Sequence, residues 1–329
     1  MMRNSLLENL TVLERAIVST IIYFDIFDYP LTLIEIWKWL YIENQNSNFK
    51  FKIVDIQNIL KNSENLKNVI EKKNGLYFLK GKKELIKLRQ KRHKLIQRRW
   101  KKLRRLTILL QLIPNVKMIA ACNNMAINSI KPESDIDVFI IVKKDRIWQT
   151  RFLITLLIAA LGQWRHRRKI ANKICLSFYL TDDNLNLSWL TKKPYDIYMI
   201  YWLALVFPLL DRGVYNSFIL ENKWARRYLP NFIKYDPVLF ERKVSEIFAL
   251  DVIRKLLETI LEKKLGDFVE FWFKKIQMAK MRKRSTRWEK NGTDVVISDQ
   301  ILKFHENDRR LEFREKFENK LENVDNLWI

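Results

Sequence analysis

One segment constrains this chain more than any other: Ser134-Asp135-Ile136-Asp137-Val138-Phe139-Ile140-Ile141-Val142. The apolar run from Val138 to Val142 reads as a deeply buried strand. Residues two apart on a strand point to one face, so Asp135 and Asp137 present two carboxylates side by side at its start. Like charges this close repel, and a hard divalent cation held by oxygen ligands is the natural remedy. The phosphates of a nucleotide supply further oxygens to such an ion. Ahead of this segment, Val116-Lys117-Met118-Ile119-Ala120-Ala121 reads as a neighbouring strand, and a polar loop from Cys122 to Glu133 joins the two.

Strand, loop and Asp-x-Asp strand together resemble the DNA polymerase beta-like nucleotidyltransferase superfamily. In that family a Gly-Ser pair opens a helix about ten residues before the Asp-x-Asp, and here ten residues separate Asn124 from Asp135. The resemblance implies an α+β fold with a short mixed sheet flanked by helices. It also implies transfer of a nucleoside monophosphate from a triphosphate to a hydroxyl, with Mg2+ activating the attacking oxygen and steadying the pyrophosphate. Asp135 and Asp137 would be the catalytic metal ligands, with Asn123, Asn124 and Ser134 at the nucleotide.

Two positions depart from that pattern. Asn123-Asn124 stand where the family has Gly-Ser; asparagine tolerates left-handed backbone and its amide donates hydrogen bonds. The strand Ile174–Leu180 should carry a third carboxylate, yet alternation puts Cys175, Ser177 and Tyr179 on one face with no acid. Asp182 and Asp183, just past its end, either substitute or cap the next turn.

The formal net charge of +24 over 329 residues exceeds what solubility requires and points to polyanionic partners. Half of it lies between Lys82 and Arg105, where thirteen Lys or Arg residues face the single acid Glu84, a net +12. Leu85, Leu88, Leu95, Leu103 and Leu106 recur at helical spacing within this stretch. One long amphipathic helix is expected, with Arg98, Arg99, Lys101 and Lys102 on a cationic face that contacts nucleic acid (DNA or RNA) or is simply solvated. The cluster Arg165-His166-Arg167-Arg168-Lys169 either contacts triphosphate or nucleic acid or is an exposed helix end, and Lys280-Met281-Arg282-Lys283-Arg284 is a second cationic cluster.

Residues 1–80 hold two capping boxes, Thr11 with Glu14 and Thr32 with Glu35, each opening a helix. A third helical segment near Ile53–Leu60 precedes two extended runs around Asn74-Gly75, a hairpin signal. Three helices and a hairpin resemble a winged helix-turn-helix, a fold used for nucleic-acid contact and for protein association. Four regions follow: a winged-helix-like domain (1–80), a basic connecting helix (81–112), a nucleotidyltransferase-like domain (113–235) and a helical C-terminal region (236–329). Within them Asp196–Leu210 reads as an apolar helix closed by Pro208. His305 and Asp308 read as a surface pair on a helix, without catalytic role. Cys122 and Cys175 offer neither a metal-site spacing nor a disulfide framework, and no signal peptide or bilayer-length apolar run stands out, so a cytoplasmic setting is expected.

Overall fold

Reciprocal capping sets the first helices. The Thr11 hydroxyl accepts the Glu14 N–H at 3.3 Å and the Glu14 carboxylate accepts the Thr11 N–H at 2.8 Å, opening α1 (Val12–Asp25). Thr32 and Glu35 repeat the exchange at 3.2 and 2.7 Å and open α2 (Leu33–Lys38). The structure is a computed structural model and describes residues 9–43, 50–166, 169–232, 241–282, 292–305 and 308–324. After α3 (Ile53–Asn62) and α4 (Glu64–Val69) comes the expected hairpin of β2 (Ile70–Lys73) and β3 (Leu76–Leu79). Asn74 and Gly75 lie at φ of 52° and 76°, as a two-residue hairpin turn requires. An unforeseen short strand, β1 (Leu31–Thr32), pairs with β3, giving the antiparallel order β1-β3-β2.

The N-terminal unit does not close its core alone. Tyr23 of α1 stacks on Tyr201 at 3.8 Å, and Ile197, Leu205, Leu229 and Phe317 belong to the same buried cluster as Ile17, Ile21 and Phe24.

The basic stretch forms α5 (Glu84–Leu110), burying Leu85, Leu103 and Leu106. A six-stranded mixed sheet follows: β4 (Val116–Ala121), β5 (Ile136–Val142), β6 (Ile174–Thr181), β7 (Phe207–Asp211), β8 (Val295–Ile297) and β9 (Ile301–Phe304). Its order is β7-β4-β5-β6-β9-β8; β5 and β6 are parallel and every other neighbour pair is antiparallel. The short α6 (Asn123–Ile127) lies between β4 and β5, and α7 (Ile147–Ala160) crosses from β5 to β6. Strand alternation sorts the core into two layers: Val138 and Ile140 pack toward α5 and α7, whereas Phe139 and Ile141 pack toward α8 (Ile197–Leu205) and α9 (Tyr215–Glu221). The molecule is thus α+β, as expected.

Two expectations fail here. The helix expected over Asp196–Leu210 ends at Leu205, and Phe207–Asp211 is the edge strand β7. Pro208 sits beside a register shift against β4, where an edge strand tolerates a missing N–H. The C-terminal region is also not helical throughout. Between α11 (Lys263–Arg282), which follows α10 (Phe248–Ile260), and α12 (Arg310–Glu322), it supplies β8 and β9, and β9 pairs with β6. Among the described residues no helix is long and apolar enough to cross a membrane.

Candidate metal and nucleotide site

Asp135 and Asp137 meet at the head of β5, where ligand atoms from Asp135, Asp137 and Cys175 all lie within 4.8 Å of one another. The ladder explains the third member. Asp137 pairs with Cys175 but Phe139 pairs with Phe178, so three residues of β6 oppose two of β5. That bulge brings Cys175 to the face of Phe178 and sends Tyr179 into the opposite core layer. The expectation that Cys175, Ser177 and Tyr179 share one face is therefore corrected. Asp182 and Asp183 lie at the far end of the parallel pair, six or more residues and ~20 Å from Cys175. There Asp182 accepts the Lys144 N–H at 2.8 Å and Asp183 pairs with the Lys144 ammonium at 3.4 Å, so they order a turn and complete no acid triad.

The loop before β5 is held from outside. Arg99 of α5, 2% exposed, donates to the carbonyls of Lys131 (3.0 Å), Pro132 (2.7 Å) and Asp135 (3.5 Å). It does not stand on the cationic outer face where helical spacing had put it. The Ser134 hydroxyl accepts the Lys131 N–H at 3.2 Å and its carbonyl accepts the Asn172 N–H at 2.9 Å, so Ser134 shapes this loop. Asn123 has φ of 51°, the left-handed region where asparagine substitutes best for glycine. Its amide donates to Asp137, and its oxygen accepts the Tyr198 hydroxyl at 3.0 Å.

Burial pushes the Asp137 carboxyl up to about 6, and the neighbouring Asp135 carboxylate adds to the rise against hydrogen bonds from Asn123 and Cys175. Arg165 pairs with Asp135 at 2.9 Å and donates to the Cys175 sulfur at 3.1 Å. Burial, reinforced by Asp137 and Asp135, pushes the Cys175 thiol up to about 12, so at neutral pH it is a protonated, soft donor. The hard ligands are the two carboxylates, and two carboxylates completed by phosphate and water oxygens suit Mg2+.

A cavity of about 200 Å³ opens beside Asp137, lined by Asn123, Asn124, Tyr198 and Trp202 on one side and by Lys303, His305, Asp308, Arg309 and Arg310 on the other. The sequence had set His305 and Asp308 aside as a surface pair on one helix. They instead flank the end of β9 and the start of α12, and both reach the candidate site. Asp308 receives Arg310 at 2.8 Å and Lys303 at 3.1 Å; these partners hold its carboxyl far below the usual range despite burial. Burial lowers the Lys303 ammonium to about 8 and the His305 imidazole to about 4. Among the described residues the His305 Nδ1 is buried without a hydrogen-bond partner. The only sequence sign of this cluster was the density of charge from Lys303 to Arg310, because its role depends on β9 docking against β6.

On the far side of α5, Arg98, Lys101, Lys102 and Arg105 line an open groove of about 720 Å³ together with Lys173. Lys102 donates to the Asn172 carbonyl, and burial with Lys173 and Arg99 nearby lowers its ammonium to about 8. Of the other basic clusters, Arg167, Arg168, Lys283 and Arg284 lie outside the described residues. The chain matches no known family, no curated protein and no solved structure.

Proposed function

We propose that the Asp135–Asp137 edge binds a nucleoside triphosphate together with Mg2+, in the manner of a nucleotidyltransferase. The observation that carries this reading is the convergence of Asp135, Asp137 and the cation-lined cavity at one end of the parallel pair β5–β6. Bound there, Mg2+ would neutralise the carboxylate pair and gather the phosphate oxygens. Asn123 keeps Asp137 oriented, Asn124 lines the floor, and Arg309 and Lys303 offer positive charge to the phosphates. At about 200 Å³ the cavity suits the phosphates and not a whole nucleotide, since ligand clefts usually run to ~300–1,000 Å³. The activity assigned by this reading is transfer of a nucleoside monophosphate to an acceptor hydroxyl. The test is calorimetric titration with Mg2+ and a non-hydrolysable triphosphate, followed by a transfer assay with labelled nucleotides. Binding is expected to need Mg2+ and to weaken at least tenfold in Asp135→Ala/Asp137→Ala; binding unchanged in that variant would refute the assignment.

A second reading is favoured by two particular observations. Arg165 already pairs with Asp135, and a protonated Cys175 stands opposite Asp137 where a third carboxylate would act as base. Under this reading the chain keeps the nucleotidyltransferase-like core without its chemistry and binds nucleic acid through the α5 groove and a winged-helix N-terminal unit. It expects salt-sensitive binding of DNA or RNA that is indifferent to Mg2+ and to both aspartates.

A further inference from the structure

We propose that a cleft between α7, α11 and the β8–β9 edge binds an anionic amphiphile, whose carboxylate or phosphate head is received by Arg151. The cleft encloses about 380 Å³, room for roughly a dozen groups at the ~30 Å³ a water-sized group occupies. Its walls are chiefly apolar: Phe152, Leu156, Trp164, Ile276, Ile297 and Phe304. Two cations, Arg151 and Lys280, complete them, and among the described residues no Asp or Glu lines the cleft.

Arg151 is the decisive group. One of its N–H groups reaches the Gln277 side-chain oxygen, and its guanidinium lies 4.9 Å from the Phe304 ring centroid. Among the described residues its Nε is buried with no hydrogen-bond partner and no carboxylate pairs with it. A half-buried guanidinium without an anion carries a desolvation cost that an aromatic face offsets only in part. Lys280 stands 5.6 Å from the Trp164 ring centroid on the same cleft. A neutral apolar ligand would fill the walls and leave Arg151 unpaired, whereas a phosphodiester backbone would pair Arg151 and waste the walls. An anion with an apolar chain of roughly ten carbons satisfies both. The occupant would also rest on Phe304, whose neighbours Lys303 and His305 line the cavity beside Asp137 from the other face of the sheet.

The experiment is calorimetric titration of the full chain with decanoate, decyl phosphate and decanol, each below its aggregation concentration, and with phosphatidylglycerol vesicles. The two anions are expected to bind at least tenfold more tightly than decanol. Arg151→Gln should erase that preference while decanol binding persists. Ala159→Trp, at a partly open position of the wall, should abolish binding of all three with an unchanged melting temperature. Equal affinity for decanol and decanoate, no effect of Arg151→Gln, no binding at all, or binding to vesicles alone would each overturn the proposal. Its outcome is independent of whether the Asp135–Asp137 edge binds nucleotide.

Discussion

The Asp137 carboxylate sits among Asn123, Tyr198 and Trp202, beside a second carboxylate, and its charged form is disfavoured there. Its folded pKa of about 6 lies above the unfolded ~3.9. The resulting destabilisation is therefore absent below about pH 4, grows as pH rises to about 6, and stays constant above that. Asp137→Asn should stabilise the protein above pH 6 by on the order of 2 kcal/mol, with no gain near pH 4, in denaturant titrations across that range. A bound cation removes the same repulsion, so Mg2+ with nucleotide should raise the melting temperature of the parent chain and not of this variant.

His305 shows the opposite sign. Its folded pKa of about 4 lies below the unfolded ~6.5, so stability is lost as pH falls through that interval. His305→Gln should flatten the loss, by on the order of 2 kcal/mol at pH 4, in the same titrations. The two acids were legible in the sequence because spacing alone puts them on one face of a strand. His305 was not, since nothing local says that β9 will dock beside β6.

At the scale of elements, α5 divides its cations between two tasks. Arg99 faces inward and satisfies three carbonyls of the loop that delivers Asp135, while Arg98 is exposed on the groove. Arg99→Met should destabilise the chain by about 2–4 kcal/mol through the carbonyls it abandons, whereas Arg98→Met should stay within about 0.5 kcal/mol, both read by chemical denaturation. If the loop loosens as this geometry requires, Arg99→Met should also weaken Mg2+-dependent nucleotide binding. Helical periodicity told which leucines of α5 are buried. It could not tell which arginines are, because a buried guanidinium is tolerated only where a neighbouring segment offers carbonyls. The bulge in β6 is a comparable case: one extra residue sent Tyr179, expected to share the face of Cys175, into the opposite core layer.

For the whole molecule, the +24 charge is partly spent on internal pairs. Arg89 grips Glu35 at 2.8 and 2.9 Å, and Lys82 reaches Asp25 at 2.7 Å, so these cations tie α5 and the turn before it to the N-terminal unit. The groove cations Arg98, Lys101 and Arg105 have no such acid among the described residues. Under the nucleic-acid reading proposed above, neutralising these three should lower affinity for DNA or RNA and flatten the log-log salt dependence by about 2–3, measured by fluorescence anisotropy between low and physiological salt. Neutralising Arg89 and Lys82 should instead lower stability.

The sequence by itself determined the capped helices, the Asn-Gly hairpin, the long basic helix and the acid pair at the head of β5. Each depends on contacts within a few residues, or on a periodicity of 2 or 3.6 that one segment carries whole. Tertiary structure alone decided that Arg99 is a clamp, that Cys175 faces Asp137, and that Lys303, His305 and Arg309 reach the candidate site. Those outcomes depend on contacts between segments distant in the chain, 32 residues for Arg99 with Lys131, 38 for Asp137 with Cys175 and 125 for Phe178 with Lys303, which local patterning does not encode.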